Sequence, residues 1–159
     1  MPSSSARGAH RLLDRMSYAF RMLDDIALAD LAFEAEGDSL ENLFRGATQA
    51  IIEILANPAT IGSAWERTIH RQDVDAATLL FDWLSDLVYW KDAAGVVYRD
   101  VQLSLAYRAG KWELEARMHG APVDPVTQEL RSDVKGVTKH LYDLSQRGSR
   151  WYARVVLDV

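Results

Sequence analysis

The stretch from Asp73 to Lys91, DVDAATLLFDWLSDLVYWK, decides how the rest of the chain is read. Its polar positions Asp75, Thr78, Asp82, Ser85 or Asp86, and Tyr89 recur every three or four residues. They leave Ala77, Leu80, Leu84, Leu87 and Val88 on a broad apolar surface that Phe81, Trp83 and Trp90 widen. The spacing predicts an α-helix with one wet edge. Asp73 is expected to cap its amino end, with acidic side chains in the first turn suiting the helix dipole, and Gly95 to end it in the left-handed conformation. Such a helix is structural, so chemistry is to be sought in short polar stretches elsewhere.

Before this helix, Ala29, Leu31, Phe33 and Ala35 alternate with Asp30, Glu34 and Glu36, the pattern of a half-buried strand that Gly37 ends. Asp38 followed by Glu41 resembles a capping box. Leu40, Leu43, Phe44, Ala47, Ile51, Ile54 and Leu55 then mark one face of a second helix, which stops at Asn57-Pro58. Trp65 to His70 reads as a short strand, with Arg67 falling on its apolar side. After the central helix, Val97 to Tyr107 and Trp112 to Met118 alternate across a turn holding Gly110, which predicts a hairpin. The polar connection GAPVDPVTQELRSD leads to a strand over Val134 to Leu144, and Gly148 turns the chain into a last strand, Trp151 to Leu157. The order predicts a two-layer α+β fold, a mainly antiparallel β-sheet packed against two helices. Residues 1–17, rich in Ser and Arg, read as a flexible extension before a single domain over 18–159.

The 159 residues carry 26% charged and 48% hydrophobic side chains, ordinary for one globular domain. A net charge of −5 supplies no global positive field to draw in RNA or DNA, so direct nucleic-acid binding is not expected and partners are expected to be proteins or small cations. The absence of cysteine rules out a disulfide framework and a thiolate nucleophile, and fits a cytoplasmic protein. No apolar run is long enough to span a bilayer, and the leader lacks the apolar centre of a secretory signal, so neither membrane insertion nor export is expected.

No glycine-rich phosphate loop, nucleophile elbow or helical histidine pair is present, which argues against an independent enzyme. His10, His70, His119 and His140 are scattered and receive no role. The unusual feature is the closing run RWYARVVLDV, which sets Asp158 beside the chain-end carboxylate of Val159. Paired carboxylates at a strand end suit a hard cation such as Ca²⁺ or Mg²⁺, while the spacing by itself favours a hydrated chain end that needs no partner.

The segment GAPVDPVTQELRSDVKGVTKH resembles the archease family, whose members show a similar run ending Glu-Val-Lys-Ala-Val-Thr. Ala29-Asp30-Leu31, Glu34-Ala35 and Gly37 to Phe44 are similar to that family's first strand and helix, and Val155 to Val159 to its closing residues. The resemblance implies a small accessory protein, not itself a catalyst, that helps an RtcB-type RNA ligase become guanylylated and turn over repeatedly in tRNA splicing and RNA repair. It also implies a divalent-cation site, Ca²⁺ among the candidates, at Asp30, Asp158 and the carboxylate of Val159, with Lys135 as a functional lysine nearby. The family's opening Asp-His-Thr-Ala-Asp reads here Ile26-Ala27-Leu28-Ala29-Asp30, its histidine before Glu-Leu-Arg is Gln128, and the aromatic after Val-Thr is Lys139. These departures keep a second expectation in view: a chaperone-like binding module for another RNA-modifying enzyme, such as an RNA methyltransferase, without a working metal site.

Overall fold

The computed structural model describes residues 17–24 and 30–159. The expected extension, apart from Ser17, and the first residue of the expected strand at Ala29 lie outside them. The elements in order are β1 (Tyr18–Leu23), β2 (Asp30–Gly37), α1 (Leu40–Leu55), a 3₁₀ turn (Pro58–Thr60), β3 (Trp65–Asp73), α2 (Ala76–Ala94), β4 (Val96–Arg108), β5 (Lys111–Pro122), β6 (Gly136–Arg147) and β7 (Arg150–Asp158). The fold is α+β, with two helices and antiparallel strand pairing among the described residues.

Two features depart from the sequence reading. β1 was not expected: its burial follows no clean alternation, and it exists because Tyr18 to Leu23 pair residue for residue with Gly37 back to Ala32 of β2. The strands also divide between two sheets, one in the order β1-β2-β7-β6 and the other β3-β5-β4. Alternation reports which face of a strand is buried and carries no information about which sheet it joins.

The chain divides into two compact units, Met1–Ala50 with Lys135–Val159, and Ile51–Val134. In the first, described from Ser17, the amino end of α1 is capped by Ser39 rather than Asp38. The Ser39 hydroxyl accepts from the Asn42 N–H at 3.1 Å, while Asp38 accepts from the Asn42 side-chain amide at 2.8 Å. Glu41 meets Arg45 one turn on, at 3.2 Å. The cap goes to the residue whose short hydroxyl reaches the third N–H of the helix.

In the second unit, α2 lies against the three-stranded sheet and buries Leu79, Leu80, Trp83, Leu84, Leu87, Val88 and Lys91; of the expected apolar surface Ala77, Phe81 and Trp90 are only half-buried, and Leu79 joins it. Its cap is Asp75, not Asp73. The Asp75 carboxylate accepts from the Thr78 N–H at 3.0 Å and the Thr78 hydroxyl at 2.6 Å, and Asp73 instead accepts from the Asp75 N–H at 2.8 Å. No acidic residue stands in the first turn, since the acid is the cap itself. The Thr78 hydroxyl, and then its N–H, hold the Asp75 carboxyl below the usual carboxylate range. The charge-dependent part of this cap is therefore present above about pH 4 and is lost as pH falls through the lowered value. Gly95 ends the helix at φ 65, as expected.

Beneath α2, the fully buried Tyr98 donates its hydroxyl to the Leu87 carbonyl at 2.5 Å, and burial pushes its pKa up. Gly120 pairs with Trp65 on one side and Tyr98 on the other, where β4 bulges between Tyr98 and Asp100. A Cβ there would stand 2.2 Å from the Val97 carbonyl oxygen, which belongs to the backbone and cannot swing away. Gly120→Ala is expected to lower unfolding stability by about 2–3 kcal/mol in urea titrations. Gly62→Ala, whose Cβ would meet nothing nearer than 3.9 Å, is expected to leave the midpoint close to that of the parent.

Candidate functional site

The four residues singled out from the sequence meet at one end of the four-stranded sheet. Asp30 opens β2 and Asp158 closes β7, and the antiparallel register sets them directly opposite each other. Directly opposed residues share a sheet face with Cβ atoms about 5 Å apart, so two carboxylates are held side by side, Asp30 half-buried and Asp158 exposed. On the other flank of β7, Asp158 faces Gly136, and the Lys135 N–H donates to the Asp158 main-chain carbonyl at 2.7 Å. Val159 follows Asp158, and the Lys135 side chain is exposed.

The ladder behind this end is what fixes it. Leu31 faces Leu157, Ala32 faces Val156 and Phe33 faces Val155, and all of these except Leu31 are buried. A one-residue slip of register would turn every one of these side chains to the opposite face, so the burial of Phe33 and Val155 also locks Asp30 opposite Asp158. Like charges so placed repel unless a cation or an ammonium offsets them. Among the described residues no group of three or more His, Cys, Asp or Glu side chains is placed to hold a metal ion.

In the other unit, the Glu-Leu-Arg motif read from the sequence only as part of a polar connection has a specific structural role. Arg131 and Ser132 donate their main-chain N–H groups to the Leu55 and Ile54 carbonyls at 2.9 and 3.0 Å, and the Arg131 guanidinium donates to the Glu53 carbonyl at 2.9 Å. These are carbonyls of the last turn of α1, which the helix cannot satisfy itself and which has no basic residue of its own. Glu129 continues the clamp, accepting from the Asn57 amide at 2.9 Å, a bond that, with the nearby Arg131, keeps its carboxyl below the usual range.

Lys91 is a buried cation that sequence reading left as a helix end. Its ammonium donates to Asp92 at 2.7 Å and Asp133 at 2.6 Å, beside a cavity of about 390 Å³. Burial opposes its charge, and the two carboxylates more than offset that, leaving its pKa raised. The signal was present: Lys91 falls four residues after Leu87 and seven after Leu84, on the apolar stripe.

Fold and site together define a small α+β protein whose candidate chemistry is a carboxylate pair at the end of an antiparallel ladder. Residues 20–159 match the model of the Archease protein family (MTH1598/TM1083). The chain belongs to the archease family. It is 29% identical over 132 residues to the protein archease of Pyrococcus furiosus, covering 82% of this chain and 93% of that one. The solution structure of Methanobacterium thermoautotrophicum protein 1598 superposes with a TM-score of 0.75 at 27% identity, covering 88% of this chain and 98% of that one. A crystal structure from Thermotoga maritima, an archease described as a possible chaperone, shares the fold with a TM-score of 0.58 at 20% identity, over 87% and 98% of the two chains. Among the described residues no helix is long and apolar enough to cross a membrane.

The clamp on α1 yields a direct test. Arg131→Ala removes one donor and the only cation bonded to that helix end among the hydrogen bonds named above, and is expected to cost about 1 kcal/mol. In a denaturant titration the midpoint should fall while the slope stays constant.

Proposed function

We propose that this chain is an archease-type activator of an RtcB-type RNA ligase, promoting guanylylation of the ligase and its repeated turnover. The observation that carries the reading is the pairing of Asp30 with Asp158, with Lys135 bonded to the same residue, in a chain of the archease family. Two side-chain carboxylates and the carboxylate of Val159 are hard oxygen donors, the set that a Ca²⁺-type ion accepts while keeping water in its remaining positions. The residues present therefore fit a divalent cation held by Asp30, Asp158 and Val159. When bound, the ion would supply positive charge for phosphate or carboxylate groups of the partner.

The remaining work falls to the chain itself. The β2–β7 ladder holds the carboxylates in register before any ion arrives, which limits the ordering cost of binding. Lys135, exposed beside Asp158, offers an ammonium that meets a phosphate as a point charge. A second reading, a chaperone-like module for another RNA-modifying enzyme, is favoured by the replacement of the family's His-Thr pair with Ala27-Leu28, which strips polar side chains from the sequence just before Asp30.

Calorimetric titration with Ca²⁺ and with Mn²⁺ should show binding to the parent that Asp158→Asn weakens by at least about tenfold, since a charge and one carboxylate oxygen are lost. Equal heats for the two proteins would remove the metal site.

In a ligation assay with limiting cognate ligase, GTP, a divalent cation and excess RNA, the parent should raise the number of ligations per ligase molecule and show none alone. Lys135→Ala should lose most of that stimulation while unfolding like the parent, because an exposed lysine side chain just before β6 contributes little to stability. Lys111→Ala, at the exposed hairpin turn, should behave as the parent. Equal turnover with and without the protein would favour the chaperone-like reading.

A further inference from the structure

The row of residues that crosses the end of the four-stranded sheet runs Asp30 on β2, Asp158 on β7 and Gly136 on β6. β6 is the edge strand, so Gly136 also ends the row. Directly opposed residues share a sheet face, and a side chain at position 136 would therefore stand beside the carboxylate pair, its Cβ about 5 Å from that of Asp158. None is there. Neither the Asp30 nor the Asp158 carboxylate has a bonded partner among the described residues, and the next side chain on that face of β6, Thr138, gives its hydroxyl to the Val156 carbonyl at 3.1 Å. The charge of the pair is left to be offset from outside, on the flank that Gly136 leaves open.

Backbone geometry does not account for this glycine. Gly136 is not among the residues with positive φ. The other glycines within β-ladders are fixed by crowding: a Cβ on Gly37 would stand 2.4 Å from the Leu43 nitrogen, as one on Gly120 would strike the Val97 carbonyl. A Cβ on Gly136 would meet no heavy atom of the described residues within 4 Å. Gly62 is nearly as open, but it lies outside any strand. Nor does Gly136 form a bulge, because its pairing with β7 runs regularly to Thr138. The register shifts only between Thr138 and Asp143, where β6 bulges and Leu141 takes φ 56. Glycine in a ladder costs backbone entropy and forgoes a packing side chain, and where no turn, bulge or neighbouring backbone requires it, close approach of a ligand is the remaining reason.

We infer that Gly136 is the entry to the carboxylate pair, kept without a side chain so that an anionic oxygen group of the partner can cross β6 to a cation held by Asp30 and Asp158. The position selects for size rather than for backbone freedom, which makes Gly136 a specificity-determining residue of the candidate site. Hard cations keep oxygen ligands in all their positions, and those the chain does not fill go to water or to a partner's carboxylate or phosphate. Lys135, exposed and one residue earlier, carries an ammonium that favours the same anionic group. The inference rests on the activator reading, in which the group belongs to the ligase or to its bound nucleotide.

The test compares the full-length parent with Gly136→Ala and Gly136→Leu in thermal unfolding, Ca²⁺ calorimetry, and affinity for the cognate ligase with Ca²⁺ present. Gly136→Leu should melt at or above the parent, because its Cβ meets open space and leucine restricts the unfolded chain more than glycine does. Its Ca²⁺ affinity should stay within about threefold of the parent, since no ligand is removed, while its affinity for the ligase falls by about tenfold or more. Gly136→Ala should match the parent in all three. Where the parent needs GTP to bind the ligase, the anionic group is a phosphate of the nucleotide; where GTP makes no difference, it is a carboxylate of the ligase. Parent-like affinity of Gly136→Leu for the ligase overturns the inference and leaves the activator reading intact. So does an equal loss in Gly136→Ala, or melting of Gly136→Leu well below the parent, since the glycine then serves the backbone. A loss of Ca²⁺ affinity as large as the loss of ligase affinity overturns it too. A parent that binds neither Ca²⁺ nor the ligase defeats the activator reading and this inference together.

Discussion

The antiparallel pairing of β2 with β7 is the interaction on which the candidate site depends. It joins residues more than a hundred positions apart in sequence, and its register, Asp30 opposite Asp158 through Gly37 opposite Trp151, is set by burial of Phe33, Ala35, Val155 and Leu157. Because side chains alternate with a period of two, the apolar residues that must turn inward determine which residues meet at the strand ends. The carboxylate pair is thus a consequence of packing, and the repulsion within it is balanced against burial further down the ladder.

The segment 129–135 serves both compact units in turn. In Ile51–Val134 it satisfies the last carbonyls of α1 through Arg131 and Ser132 and supplies Asp133 to Lys91. In the unit holding the candidate site it supplies the Lys135 N–H to Asp158. A short polar run with few apolar residues is consequently rich in structural duties: it partners helix-end carbonyls, a buried ammonium and a strand-end carbonyl. Family resemblance concentrated in such a run therefore reports helix capping and strand pairing as well as function. Lys135 is exposed, as are Glu129, Arg131 and Asp133, but theirs are side chains with bonded partners and its side chain has none among the described residues.

The neighbouring bulge shows a different balance. The ladder from Gly136 to Arg147 resumes its pairing after Asp143, so the excursion is contained, and the Arg154 guanidinium on the Leu141 carbonyl gives it a fixed shape. Local backbone strain of this kind persists where surrounding hydrogen bonds over-determine the geometry. Elsewhere in the described backbone positive φ falls at Gly95, Gly110 and Gly148, where a helix ends or strands reverse, and at Ala109 in the β4–β5 turn.

By itself the sequence determined the local elements. The periodicity of Leu80, Leu84, Leu87 and Val88 specified α2, Gly95 its end, Gly110 the hairpin turn, and the alternation after Asp30 the strand, because each is a short-range rule of backbone geometry and one-sided burial. The motifs around Lys135 and Asp158 specified the family. Cap residues were misplaced by one or two positions, Asp38 for Ser39 and Asp73 for Asp75, since several short polar side chains compete for the same N–H groups and only the backbone path decides which one reaches. Tertiary structure alone decided the rest: β1 as an edge strand, the division into two sheets, the burial of Lys91 between two aspartates, and the register that sets Asp30 against Asp158. Each of these depends on contacts between residues distant in sequence, and one-dimensional patterning carries no term for the partner a strand or a charge will find.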